Sequence, residues 1–244
     1  MPVNTNESPQ ALIQGAGGFI FDLDGTLYDA GGLARRLVLT RPGDALLMLA
    51  ERKTRKALRG CDYGTPETYS REFFSRMSRI AKKPAETLRS WYFDRYMPLM
   101  IKVLRRYYRP RPGAAELLRA LAGTSFPFAV YSDYPFTAER LSALGLGTAG
   151  CTSYGPEHFG AQKPAARPFL VIAQDLGVPP ARVLVIGDRD DTDGAGARAA
   201  GMGYAGTGTP RRGQPEPPLD WETLAALLRA RPPREHLRSG APGF

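Results

Sequence analysis

The run Gly18-Phe19-Ile20-Phe21 is apolar and aromatic, and it stops abruptly at Asp22-Leu23-Asp24-Gly25-Thr26. Such a run reads as a buried strand that delivers a polar loop at its carboxyl end, which is where open α/β sheets place their sites. Two further units have the same form: residues 126–131 run into Ser132-Asp133, and residues 182–186 run into Gly187-Asp188. Helical spacing of apolar residues fills the intervals, over 113–121, 137–144 and 168–176. Strand and helix in alternation predict an α/β fold, a doubly wound parallel sheet with a Rossmann-like core.

One stretch breaks the alternation. Between Asp29 and Arg109 the apolar residues keep helical spacing over 45–58, 69–81 and 85–108, and no strand unit intervenes. This predicts an all-helical insert: a cap over 29–109 and a discontinuous core made of 1–28 and 110–244. The aromatic and Met positions of the insert are expected to form the core of a helix bundle. The net charge of +9 is concentrated there, with 19 Lys/Arg against 8 Asp/Glu in 29–109 and 14 against 16 elsewhere. A basic region beside a site draws in anions, and it equally describes solvated helix faces. Toward the carboxyl terminus, Asp220 is placed to cap a short helix over 221–230, with 209–218 and 231–244 read as loop and loose tail.

At 43% hydrophobic and 23% charged residues the chain is not of disordered composition. Cys61 and Cys151 are far apart, with no CxxC pattern and no histidine pair nearby, so neither a disulfide framework nor a zinc site is expected, and both read as packing residues. The first ten residues are polar, and the apolar residues that follow are interrupted by Gln14, Gly15, Gly17 and Gly18. This predicts neither a signal peptide nor a membrane span, and a cytoplasmic location.

Two carboxylates two residues apart on a tight loop repel each other unless a cation lies between them. With oxygen ligands in plenty and only two histidines in the chain, Mg²⁺ is the expected cation. DLDGT at 22–26, Ser132, Lys163 and the run from Gly187-Asp188 to Asp193 together resemble the four motifs of the haloacid dehalogenase-like hydrolases, and the helical insert resembles the C1-type cap of that family. The resemblance spans most of the chain, although Ala166 stands where a second proline is usual, Asp133 where Asn is frequent, and Arg189 where Ser is common.

What the resemblance implies is specific. Asp22 is the nucleophile, forming an aspartyl phosphate, and Asp24 is the acid and then the base. Ser132 and Lys163, with Asp133, serve the phosphoryl group. Mg²⁺ is held by Asp22, Asp24 (through its backbone carbonyl) and Asp188. Asp193 stands in the outer shell, where Asp190 or Asp191 could share its duty, and Thr26 braces the loop.

The second aspartate favours phosphate over carbon–halogen chemistry, because a departing halide needs no proton. The expected activity is therefore hydrolysis of a small phosphorylated metabolite, in the manner of phosphoglycolate phosphatases or nucleotidases. A phosphomutase is the alternative within the family. A nucleic-acid-binding protein is the alternative outside it, using the basic helices and Arg105-Arg106-Tyr107-Tyr108-Arg109. Tyr28, Arg35, Arg36 and the arginines beside Tyr107 are candidates to face the site.

Overall fold

A computed structural model describes residues 9–147, 150–207 and 221–229. Five parallel strands form one sheet in the order β3-β2-β1-β4-β5: β1 (Gly18–Asp22), β2 (Phe128–Tyr131), β3 (Thr152–Tyr154), β4 (Val183–Gly187) and β5 (Gly203–Gly206). Strand β1 is central because both of its faces are apolar. Phe19 and Phe21 pack to one side with Phe128, Val130, Leu184 and Ile186. Ile20 packs to the other with Ala129, Val183, Val185, Phe169 and Ile172. Each fully buried aromatic or branched side chain contributes roughly 1.5–3 kcal/mol through removal from water. That alternation pins the register, since a slip by one residue would exchange the faces.

The expected strands at β1, β2 and β4 are present, with Phe126 and Pro127 left outside β2. The edge strands β3 and β5 escaped the sequence reading. Gly-Tyr-Ala-Gly and Thr-Ser-Tyr carry no apolar run, and they are strands because β4 and β2 offer them paired edges.

Helix α1 (Pro9–Gly15) precedes β1. Between β1 and β2 lie α2 (Leu33–Thr40), α3 (Ala45–Ala57), α4 (Pro66–Ala81), α5 (Ala85–Ser90), α6 (Met97–Tyr107) and α7 (Ala114–Ala122). The first five of these form the helical insertion, and a π-helical turn, Trp91–Tyr96, joins α5 to α6 without a break. Helix α4 starts at Thr65, whose Oγ1 accepts from the Thr68 amide at 3.2 Å, with Pro66 in the first turn. As expected of a bundle core, Phe73, Phe74, Met77, Trp91, Tyr92 and Tyr96 are buried. The two connections to the core run side by side. Tyr28 and Pro110 form an antiparallel bridge, and the Arg111 amide donates to the Leu27 carbonyl at 2.9 Å.

The remaining helices are α8 (Thr137–Ala143), α9 (Pro156–Phe159), α10 (Ala166–Asp175), α11 (Ala195–Ala199) and α12 (Trp221–Arg229). The expected cap at Asp220 and the stretches 209–218 and 231–244 fall outside the described residues. Cys61 and Cys151 are both half-buried and free. No described helix is long and apolar enough to cross a membrane.

Candidate active site

Asp22 pairs with Tyr131 across β1 and β2, and β4 runs on the other side of β1 with Phe21 opposite Ile186. The parallel register therefore releases the 22–26 loop, Ser132-Asp133 and Asp188 at one edge of the sheet. Lys163 arrives from the loop before α10 and is buried at 3% exposure, a position a lysine takes only when its charge is matched. Its Nζ donates to Asp22 Oδ1 at 2.7 Å, Asp193 Oδ1 at 2.8 Å and the Tyr131 carbonyl at 2.9 Å.

Thr26 is fully buried and ties two loops together. Its hydroxyl donates to Asp22 Oδ2 at 2.7 Å and accepts from the Asp188 amide at 2.9 Å. Gly25 has φ +95°, and a Cβ there would lie 2.5 Å from Asp188 Oδ2, so only glycine allows this approach. Arg111 donates to the carbonyls of Thr26 at 3.1 Å and Gly25 at 2.8 Å, closing the loop from behind. Asp133 accepts from the Lys163 backbone amide at 3.0 Å, so its carboxylate orients the lysine loop.

The two aspartates of the first loop occupy different surroundings. Carboxylate oxygens of Asp22, Asp188 and Asp193 lie within 4.8 Å of one another. Burial, with the charges of Asp193 and Asp24 against Lys163, raises the Asp22 carboxyl above the ordinary range, and burial, with Asp133 and Asp188 against the same lysine, raises Asp193. Burial and the neighbouring Asp22 raise Asp188 to about 6. Three hard oxygen donors with mutual repulsion are what a small divalent cation would relieve. The Asp24 carboxylate stands apart from this cluster, and Asp193, expected one step behind, contributes to it directly.

Asp24 accepts from the Tyr28 hydroxyl at 2.6 Å, from Ser132 Oγ at 2.8 Å and from Arg140. Burial pushes the Asp24 carboxyl up, but the Arg140 guanidinium, aided by these two hydroxyls, holds it below the ordinary range.

Of the other candidates, Arg36 lies over the exposed Tyr107 ring at 4.9 Å, and Arg35 is exposed. Tyr108 is buried edge-on against Tyr28 with its hydroxyl on the Gly31 carbonyl at 3.1 Å, which removes one of the two adjacent tyrosines as a stacking surface. Arg140 and Arg111 were missed by the sequence reading. Arg140 had a signal: it shares a helix face with Thr137, Leu141 and Leu144, an apolar stripe where an arginine is out of place. Arg111, in Arg-Pro-Gly, had none.

The insertion reaches this site along one seam. Its 60–63 loop pairs with the lysine loop: Gly60 amide to Lys163 carbonyl at 3.0 Å, Gln162 amide to Cys61 carbonyl at 3.1 Å, and Tyr63 amide to Gly160 carbonyl at 3.0 Å. Arg55 of α3 bonds the Asp133 carbonyl and lies 3.8 Å above the Tyr134 ring. A cavity of about 570 Å³ lies along the same seam, walled by Tyr69, Phe73, Phe74, Tyr92, Pro135 and Pro156. None of the clustered carboxylates lines it, so the chemistry is assigned to the polar loops.

The family model for haloacid dehalogenase-like hydrolases matches residues 17–201. An N-acetylmuramic acid 6-phosphate phosphatase of Pseudomonas aeruginosa is 29% identical over 192 residues, covering 76% of this chain and 80% of that one. A glyceraldehyde 3-phosphate phosphatase of Methanopyrus kandleri is 30% identical over 192 residues, covering 75% and 80%. Among solved structures, a 2-haloacid dehalogenase from Pseudomonas syringae superposes with a TM-score of 0.57 at 19% identity, covering 86% of this chain and 97% of that one. One fold thus carries both chemistries, and the side chains have to choose between them.

Proposed function

This chain belongs to the haloacid dehalogenase-like hydrolases, and from that premise we propose that it is a Mg²⁺-dependent phosphatase of a small phosphorylated metabolite, acting through an aspartyl phosphate on Asp22. The observation that carries the reading is the second carboxylate, Asp24, held on Ser132 and Tyr28 beside the first loop rather than in the acidic cluster. A group that gives up a proton to a leaving alkoxide and then takes one from water has to stand apart from the nucleophile and the cation. Phosphatase relatives at about 30% identity point the same way.

As the substrate's phosphate dianion binds beside it, Asp24 takes up a proton from solvent. In the first step an oxygen of Asp22 attacks phosphorus, the bond from phosphorus to the ester oxygen breaks, and Asp24 gives that proton to the departing oxygen. In the second, Asp24 takes a proton from water as that oxygen attacks phosphorus. The aspartyl–phosphate bond breaks, Asp22 is regenerated and inorganic phosphate leaves. Lys163 holds Asp22 in place and offers its charge to the phosphoryl oxygens, and Ser132 offers a hydroxyl. Asp22, Asp188 and, from the cluster geometry, Asp193, joined by the Asp24 backbone carbonyl that the family resemblance implies, would form an all-oxygen set suited to Mg²⁺. The ion would neutralise the repulsion between a carboxylate and a phosphate dianion. Residues 29–109 act in this reading as a cap whose 60–63 loop shields the lysine loop from water.

The test is release of phosphate from p-nitrophenyl phosphate and a panel of phosphometabolites, with Mg²⁺ or EDTA, for the wild type and Asp22→Asn. Metal-dependent turnover that the substitution abolishes is expected. Wild-type protein inert on every ester would overturn the reading and turn attention to a mutase or to the basic helices.

A further inference from the structure

Arg140 is the largest fully buried side chain among the described residues, at 0% exposure in the last turn of α8. A guanidinium in that position is costly unless its donors are matched, and here one is not: its Nε–H has no acceptor among the described residues. A residue whose only task was to fill this volume would do so better as an apolar side chain. Its other nitrogens bond the site. One pairs with Asp24 Oδ1, and the other donates to Ser132 Oγ at 2.8 Å, with the Tyr134 carbonyl at 3.5 Å.

The bonding separates the two oxygens of Asp24. Oδ1 is held by two donors, Arg140 and the Tyr28 hydroxyl at 2.6 Å. Oδ2 accepts from Ser132 Oγ at 2.8 Å. Ser132 Oγ itself accepts from Arg140 and from the Tyr134 amide at 3.1 Å, so its one proton is directed at Asp24. If the phosphoryl group takes that hydroxyl proton as a hydrogen bond, Oδ2 is the oxygen released, while Oδ1 remains clamped.

We propose that Arg140 is a positioning residue for proton transfer, clamping Asp24 through Oδ1 so that Oδ2 carries the proton to the leaving oxygen. The inference rests on the phosphatase reading above. In the step it serves, the proton passes from Asp24 Oδ2 to the ester oxygen as the phosphorus–oxygen bond breaks and the bond to Asp22 forms. Arg140 touches neither reacting atom.

The experiment compares phenyl phosphate, whose leaving group needs a proton, with p-nitrophenyl phosphate, whose leaving group departs as a stable anion. The full chain with Mg²⁺ is used. For Arg140→Met, kcat/KM on phenyl phosphate should fall about 100-fold or more, the scale of lost general acid catalysis, and on p-nitrophenyl phosphate less than about 10-fold. Arg140→Lys, which keeps the charge and can hold Oδ1 alone, should recover part of the phenyl phosphate rate. Equal losses on the two esters would overturn the proposal, because a merely structural role does not sense the leaving group. If circular dichroism shows Arg140→Met unfolded, Arg140→Lys decides: a ratio between the two esters shifted against phenyl phosphate supports the clamp, and an unchanged ratio overturns it. Wild-type protein inactive on both esters would instead remove the phosphatase reading itself.

Discussion

Stripped of divalent cations, the protein should lose stability as pH rises from about 4 to about 7, the reverse of ordinary acid denaturation. The cause is clearest at Asp188, whose carboxyl is raised to about 6 by burial and by Asp22 beside it, from an ordinary value of 3.8. The folded chain then binds this proton more tightly than the unfolded chain. The stability this gives is fully present below the ordinary value and is lost as pH rises through about 6. A gap of about two units corresponds to at most about 3 kcal/mol at 1.36 kcal/mol per unit. Asp188 is only partly buried, so solvent screening brings that to about 1–2 kcal/mol.

Asp22 and Asp193 are shifted in the same direction and add to the effect. Asp24 and Asp62 are lowered, and Asp191 is lowered to about 2, so these three titrate below the window. For a chain of this size, 1 kcal/mol moves the melting temperature by about 2–4 °C, so EDTA-treated protein should melt about 3–8 °C lower near pH 7.5 than near pH 5. Millimolar Mg²⁺ should restore most of the difference, chiefly at the higher pH, because a cation among the carboxylates favours their charged form. A melting temperature that is level or rising with pH in EDTA, or that Mg²⁺ raises equally at both pH values, would refute the reasoning.

Three further substitutions probe the supports of the site. Thr26→Val keeps the shape but removes the bonds to Asp22 and from the Asp188 amide; it should cost about 1–3 kcal/mol in urea denaturation and lower kcat. Gly160 has φ +68°, and a Cβ there would collide with the Thr65 carbonyl. Gly160→Ala should therefore destabilise by more than about 1 kcal/mol, and protease cleavage near residues 60–66 should increase. Arg167 forms a forked pair with Asp62 at 2.7 and 2.6 Å on a partly exposed surface. Arg167→Ala should change stability by no more than about 1 kcal/mol, less at high salt, and a larger loss would mean that this pair holds the insertion down.

The site was legible where chemistry forces residues to the end of an apolar run. Asp22 closes the buried strand β1, Ser132 and Asp188 follow β2 and β4, and parallel pairing about β1 brings them together without further information. The helices between β1 and α7 were legible because their spacing is unbroken by any strand unit. What stayed hidden depends on contacts between distant segments. Strand β5, Gly-Tyr-Ala-Gly, has no pattern of its own and exists through pairing with β4. Arg140 is indistinguishable by type from the solvent-facing arginines around it, and only its place on an apolar helix face sets it apart. The seam between the 60–63 loop and the lysine loop is made of backbone bonds, which no side-chain pattern announces.

Two aspartates separated by one leucine would share a face if the strand continued past Asp22. They part because β1 ends there and the chain turns at Gly25, so that Asp22 meets Lys163 and the other acids while Asp24 meets Arg140, Tyr28 and Ser132. The environments push the two carboxyls in opposite directions, and such a split marks groups given different tasks. Burial raises Asp22, which by itself disfavours the ionised form a nucleophile requires. A divalent ion among Asp22, Asp188 and Asp193 would reverse that preference at Asp22, and a substrate phosphate dianion beside Asp24 would oppose Arg140 there and favour the protonated acid. Metal dependence and division of labour between the two acids thus follow from one feature of the fold, the end of β1 between them.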